Sequence, residues 1–288
     1  MTAEIIDGNK IARKIREKTA SQIKKLFTKH NIHPKVVTIK IGSDPSSDLY
    51  LRLREKACDK VDIKYSHELF PKDVSEEKVL QTVEKLNENP EVHGILVQLP
   101  ILSDNVSEEK LINAIDPSKD VEGLHPSNIG RLFRGDEHII PCTPLAVLNI
   151  LDFKNVDLKG KNVAIVNHSN IVGKPLAGLF LNRNSTVSVC HVFTDELKKY
   201  TSKADILVSA AGVPDLITND LVKKDAFVLD VGIVKTDDGV TGDIDFEEVK
   251  EKAGFITPVP GGVGPVTVAC SLLNMVKTFE NSLWEKKR

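Results

Sequence analysis

Tyr50 and Arg54 are the first residues in the chain whose types and spacing point to chemistry. On a helix, positions four apart share a row, so a phenol and a guanidinium project side by side. Together they can hold a planar, anionic or electron-rich ligand; they also read as a core-edge aromatic with a cation packed over it. Gln98 ends the apolar run G-I-L-V-Q-L-P. It stands where ligands gather in an open α/β sheet, or where a glutamine simply bonds a neighbouring loop. Asp120 and Glu122 are the candidate acids of D-P-S-K-D-V-E-G-L-H-P, a stretch that also reads as a solvated turn.

A second group lies further on. N-H-S-N-I-V-G-K-P, residues 167–175, follows an apolar strand pattern and precedes a helical one, the place where a dinucleotide crosses the first strand–helix turn. Of the G-x-G-x-x-G fingerprint only Gly173 is present, and Asn167 and His168 stand where glycines would. The next strand ends in Cys190-His191, with no acid to meet an adenosine ribose hydroxyl. Residues 256–267, I-T-P-V-P-G-G-V-G-P-V-T, are too rich in proline and glycine for helix or strand and must form a shaped loop.

The elements that position these residues follow from periodicity. Ile11, Ile15, Ala20, Ile23 and Phe27 outline a helix, V-V-T-I-K-I at 36–41 a buried strand, and Leu49, Leu53 and Ala57 the stripe of the Tyr50 helix. Strand I-K-Y-S-H-E-L-F, a helix opened at Ser75 by a Ser-x-x-Glu-like cap, and the strand from Gly94 complete one parallel α/β rhythm. After a short helix comes the loop 116–132, read as irregular throughout. Thr143 as N-cap and Pro144 at the first helical position open a helical bridge into a Rossmann-like unit. Its strands are K-N-V-A-I-V, S-T-V-S-V-C-H, A-D-I-L-V-S-A-A-G and A-F-V-L-D-V-G-I, and a last helix follows from Val266.

Composition bounds the function. The 288 residues are 41% hydrophobic, enough for one large or two ordinary domains, and a formal net charge of −2 supplies no field for nucleic acid or membrane. No signal-peptide pattern opens the chain, and no apolar run reaches membrane length. Cys58, Cys142, Cys190 and Cys270 are scattered without a C-x-x-C, so the expectation is no metal site, no disulfide framework and a reduced, cytoplasmic compartment.

P-V-P-G-G-V-G-P-V-T closely resembles the signature of the methylenetetrahydrofolate dehydrogenase/cyclohydrolase family. The resemblance extends over nearly the whole chain: D-G at 7–8, the helix ending K-A-C, G-I-L-V-Q-L-P, K-D-V-E-G-L-H-P-S-N-I-G-R-L, P-C-T-P and S-N-I-V-G-K-P. It implies two α/β domains with a cleft between them. Residues 1–145 plus 268–288 would form a catalytic folate-binding domain, and 146–267 a Rossmann-like NAD(P)-binding domain. It further implies a homodimer, NADP as cofactor with NAD the alternative, and a role in one-carbon metabolism and purine biosynthesis. The implied reactions are hydride transfer from methylenetetrahydrofolate, then hydrolysis of methenyltetrahydrofolate to the 10-formyl compound.

Carried over by motif, Tyr50, Arg54, Gln98 and Glu122 are the catalytic candidates, and Val97, Leu99, Pro100, Pro260, Gly261 and Gly262 the substrate-binding ones. Asn167, His168, Ser169, Ile171, Gly173, Val192, Ile233 and Thr267 are the cofactor-binding candidates. Two catalytic positions depart from the family pattern: Arg54 replaces a lysine, and Glu122 an aspartate. A guanidinium has no acceptor, so proton transfer in hydration should suffer more than hydride transfer. Glu122, one methylene longer than aspartate, is expected to pair with Arg54. A mainly monofunctional dehydrogenase and a non-catalytic folate- or nucleotide-binding homologue are the alternative readings.

Overall fold

The computed structural model describes residues 2–43, 45–237 and 239–285, with the backbone alone for residues 45–47, 49, 50 and 285. β1 (Glu4–Ile5) leads into α1 (Gly8–His30), whose first turn is capped by Asp7: its Oδ1 accepts the N–H groups of Asn9 and Lys10. The chain divides into two compact units. One comprises residues 13–131, 137–142 and the chain from Val268; the other comprises the chain up to Ala12, 132–136 and 143–267.

The first unit contains β2 (Lys35–Ile41), α2 (Pro45–Asp59), β3 (Lys64–Phe70), α3 (Glu76–Glu88), β4 (Gly94–Val97), α4 (Glu108–Ala114) and α5, which runs Pro126–Phe133 to the unit's border. Its parallel sheet has the order β3-β2-β4. Central β2 is buried from Val36 to Ile41, as a near-continuous apolar run requires when both faces are covered. Val37, Ile39 and Ile95 pack on Val79 and Val83 of α3, while Val36 and Leu96 cluster with Cys58 and with Leu272 and Met275.

Alongside β4 runs a short extended segment. The Ile95 N–H donates to the Lys119 carbonyl and the Val121 N–H to the Ile95 carbonyl, so Ile95 pairs with Asp120. This parallel register sets Glu122 level with Val97, one residue short of Gln98.

Three local expectations are corrected here. Ser75 occupies the N-cap position of α3, but its side chain makes no capping bond. The Glu76 carboxylate instead reaches out to accept the Ser107 N–H at 2.8 Å and pair with Lys110. The loop 116–132 is irregular only in its first part, because Pro126 suits a first helical position and opens α5. The bridging helix begins at Cys142 rather than Pro144, within the usual latitude of a helix boundary.

The second unit adds α6 (Cys142–Phe153), which enters it from the border, then β5 (Asn162–Val166), α7 (Gly173–Asn182), β6 (Thr186–Cys190), α8 (Lys198–Thr201) and β7 (Ile206–Ser209). β8 (Phe227–Asp230), an antiparallel hairpin of β9 (Val234–Thr236) and β10 (Gly239–Thr241), α9 (Phe246–Val249) and β11 (Phe255–Ile256) follow, and α10 (Val263–Glu285) begins here and from Val268 belongs to the first unit. Six parallel strands take the order β1-β11-β8-β7-β5-β6. The chain order reverses at β5, which makes the carboxyl end of that strand the crevice of a doubly wound sheet. β1 closes the other edge, which is why residues 1–12 sort with this unit although the sequence reading placed 1–145 with the first.

Candidate active site

In the first unit the register of β4 and the turn of α2 bring Arg54 to Glu122. Arg54 is 8% exposed, and its Nη2 donates to Glu122 Oε1 at 3.2 Å. Its Nε and Nη1 are buried without a partner among the described residues. Gln98, 9% exposed at the end of β4, donates from Nε2 to the Leu99 carbonyl at 2.8 Å, and its Oε1 is likewise buried and unpartnered. An unmet buried polar atom costs about 1–3 kcal/mol. Two N–H groups and one carbonyl left this way are open to a hydrogen-bonding partner, water or ligand.

Burial pushes the Glu122 carboxyl above the usual carboxylate range; the Arg54 charge and the Cys142 thiol pull it down, and Asp120 adds to the rise. The Glu122 side chain keeps 22% of its surface open, so it can exchange a proton with a bound molecule. Burial also raises the Cys142 thiol well above its ordinary value, which leaves it a neutral neighbour. Asp120 plays a different part. Its carboxylate accepts the N–H groups of Gly123 (2.9 Å) and His125 (2.8 Å) and the Nδ2 of Asn128 (2.9 Å), so it holds the turn.

Val97, Leu99 and Glu122 line one small recess with Ile112, Ile115 and Leu124. Pro100 follows a cis Leu99–Pro100 bond and is exposed. The Tyr50 side chain lies outside the described residues. Asn274 on α10, which the sequence reading passed over, donates from Nδ2 to the carbonyls of Val121 (2.9 Å) and Ile140 (2.8 Å) and so fixes the backbone next to Glu122.

In the second unit the Asn167 side chain ties the turn after β5 together. Its Nδ2 donates to the Ala210 carbonyl at 2.6 Å, tying the end of β5 to the end of β7. Its Oδ1 accepts from the Ser169 N–H (2.8 Å), the Ser169 hydroxyl (2.7 Å) and the Gly173 N–H (3.0 Å). Ser169 Oγ accepts the Val172 N–H at 3.1 Å. Gly173 is obligatory, because a Cβ there would lie 2.1 Å from the Asn167 carbonyl oxygen. Ile171 is half-buried, whereas His168, Val192 and Ile233 are exposed along the same carboxyl edge. The tight turn, its glycine and this open flank at the order reversal fit a dinucleotide.

The proline–glycine loop is built against the start of the chain. Pro260 follows a cis Val259–Pro260 bond, and Gly261 takes φ +104°. The Gly8 N–H donates to the Gly261 carbonyl at 2.9 Å, and a Cβ on Gly8 would lie 1.7 Å from the Gly262 carbonyl oxygen. The Asp-Gly pair at 7–8 and the Pro-Gly-Gly stretch are thus two halves of one close contact. Thr267, just inside α10, bonds back to the Val263 carbonyl.

A buried acid pair escaped the sequence reading. Asp230 ends β8 and accepts the N–H groups of Gly232, Asp243 and Ile244; Asp243 accepts the Ser209 hydroxyl and the N–H groups of Ala211 and Val213. A Cβ on Gly232 or Gly242 would stand 2.0 Å from the carboxylate oxygen of Asp243 or Asp230. The glycine beside each acid was the available signal. A larger cavity of about 480 Å³ opens at the opposite edge of the sheet, lined by Lys154, Asp205, Lys223, Phe227 and Phe255. There Lys154 pairs with Glu4, and Lys223 with Asp205.

Known proteins place this arrangement. The tetrahydrofolate dehydrogenase/cyclohydrolase catalytic domain matches residues 6–122, and the NAD(P)-binding domain of the same family matches 141–283. The chain belongs to the tetrahydrofolate dehydrogenase/cyclohydrolase family. The bifunctional protein FolD of Methanosarcina mazei is 50% identical over 281 residues, covering 98% of either chain. Among solved structures of the family, the Campylobacter jejuni bifunctional FolD has a TM-score of 0.94 at 41% identity, covering 97% of this chain and 99% of its own. The Trypanosoma brucei dehydrogenase–cyclohydrolase, solved with NADP cofactor and an inhibitor, has a TM-score of 0.93 at 34% identity, covering 98% and 99%. Family membership accounts for the two α/β units, one of them Rossmann-like.

Proposed function

We propose that the protein oxidises methylenetetrahydrofolate with NADP+ and hydrolyses the methenyltetrahydrofolate formed to 10-formyltetrahydrofolate. The observation that carries this reading is the Arg54–Glu122 pair beside Gln98, with buried donors and a carbonyl unpartnered, in a chain that matches both family domains. NADP rather than NAD, a homodimer, a cytoplasmic location and a place in purine biosynthesis belong to the same proposal. So does the residue assignment, including Tyr50 against the pterin and the Pro260-Gly261-Gly262 loop on the folate side.

The nicotinamide supplies a hydride acceptor. The Arg54–Glu122 pair presents a compensated charge to the folate ring as it becomes a methenyl cation, since the carboxylate offsets the guanidinium. The unpaired N–H groups of Arg54 and the carbonyl of Gln98 orient the pterin, which is the positioning hydride transfer needs. Hydration also needs a proton carrier. Arg54 has no acceptor and Gln98 does not titrate, so the role falls to Glu122, whose carboxyl burial raises. Glu122 takes one proton from the attacking water and gives it to N5 as the methenyl carbon–N5 bond breaks. The second water proton leaves to solvent as the formyl carbonyl forms.

Two assays on wild type and Glu122→Gln test this. NADPH should appear with methylenetetrahydrofolate, and methenyl absorbance should decay faster with the enzyme than without. In the variant, hydration should fall about 10²-fold or more while hydride transfer falls much less. Absence of both activities in the wild type would overturn the proposed function; equal losses in the variant would overturn the role given to Glu122.

A further inference from the structure

We infer that Lys40 is a positioning residue for the folate, acting through Asp48 to hold the first turn of α2 over Gln98. The inference rests on the folate reading above and starts from a cation in a buried strand. V-V-T-I-K-I is apolar but for Thr38 and Lys40. Lys40 is 4% exposed at the carboxyl end of β2, the end where open α/β sheets gather ligands. Side chains alternate along a strand, so Lys40 shares a face with Val36, and Gln98 shares one with Leu96. Val36 and Leu96 cluster with Cys58 of α2, whereas Ile39 and Val97 lie in the cluster packed on α3. Ile39 pairs with Val97, and the Gln98 N–H donates to the Ile39 carbonyl at 2.9 Å, which sets Lys40 and Gln98 level on adjacent strands. Both therefore face α2, the helix that carries Arg54.

The Lys40 ammonium pairs with Asp48 in the first turn of α2 and donates to Ser43 Oγ at 3.3 Å. The Ser43 hydroxyl donates to Asp48 Oδ2 at 3.0 Å, so the three side chains close a ring between the end of β2 and the start of α2. The Lys40 ammonium, and then the Ser43 hydroxyl, hold the Asp48 carboxyl below the usual carboxylate range. The two partners differ in shelter: the Lys40 side chain is 4% exposed and that of Asp48 38%. An apolar side chain at position 40 would fill the same space without desolvating a charge, and such exchanges are often neutral or stabilising. What the ion pair adds is direction. It fixes the start of α2, six residues before Arg54, so that Arg54 Nε and Nη1 and Gln98 Oε1, unpartnered among the described residues, address one ligand.

Four variants separate positioning from support: Lys40→Met, Asp48→Asn, Asp48→Glu and the double variant Lys40→Met/Asp48→Asn. Lys40→Met removes the buried charge and leaves Asp48 to solvent, so its urea midpoint should equal or exceed that of wild type. Its affinity for tetrahydrofolate, by calorimetry, should nevertheless fall about tenfold, as for one lost charge-assisted hydrogen bond. The KM for methylenetetrahydrofolate should rise in step while kcat for hydride transfer stays within about twofold, because the pair touches no reacting atom. Asp48→Asn should lose the same affinity and also lower the urea midpoint, since it strands a buried ammonium. The double variant should regain stability without regaining affinity, and Asp48→Glu should keep both. Unchanged tetrahydrofolate affinity in Lys40→Met or in the double variant would overturn the inference, as would a loss in Lys40→Met that Asp48→Asn does not share. Failure of the wild type to bind tetrahydrofolate would overturn the folate reading beneath it.

Discussion

The chemistry at residue scale turns on a pair, since Arg54 and Glu122 modify one another. The guanidinium lowers a carboxyl that burial raises, so its charge keeps Glu122 available as a base. Replacing Arg54 with Gln removes the lowering influence. The Glu122 carboxyl then rises further, and the acid limb of the hydration pH–rate profile should move to higher pH, because more of the carboxyl is protonated at any given pH. Stopped-flow decay of methenyl absorbance across pH 5–9 measures the limb, and an unmoved limb would count against Glu122 as the proton carrier. The pairing was legible in the sequence, because the two departures from the family pattern compensate in charge and length. The division of labour between Asp120 and Glu122 was not. Both are acids in one loop, and only the three bonds into Asp120 show that it is a structural anchor.

Elements carry the same lesson about what periodicity can reveal. The three strands of the first sheet and four of the six in the second follow from apolar runs, because burial on a known face dictates residue type, whereas β1 and β11, two residues each, are too short to show a period. Caps and turns depend on single side chains, and there the sequence misled. Ser75 sits at a cap without capping, and Pro126 begins a helix inside a stretch read as loop. The turn after β5 is a milder case: a lone glycine looked like a broken fingerprint, yet Asn167 braces the turn with four side-chain hydrogen bonds. The turn should therefore be intolerant at Gly173. Gly173→Ala puts a methyl group 2.1 Å from backbone, not from a movable side chain. We expect a loss of about 1–3 kcal/mol in denaturant unfolding, with weakened nucleotide binding. Asn167→Ala should produce the same binding loss by freeing the end of β7. Unchanged nucleotide affinity in both variants would separate the turn from the cofactor.

On the scale of the molecule, the acid pair Asp230–Asp243 links the carboxyl ends of β7 and β8 with the segment after β10. It does so through backbone N–H groups rather than apolar contact, in a region buried beyond the reach of water. Burial raises Asp230 to about 7, and the neighbouring Asp243 charge adds to the rise, against the lowering by the N–H groups of Asp243, Ile244 and Gly232. A carboxyl raised in the folded state binds its proton more tightly there than in the unfolded chain. Its contribution is complete below the unfolded value near 4 and is lost as pH climbs through the folded value near 7. Stability should therefore decline between about pH 4 and 7 by as much as ~4 kcal/mol from this site, and level off above it. In Asp230→Asn the group does not titrate and that part of the slope should vanish. Urea unfolding of both proteins at half-unit pH steps measures it. A wild-type curve with the same slope as the variant would mean that the backbone N–H groups, not burial, set the state of Asp230, which would then be ionised throughout the range.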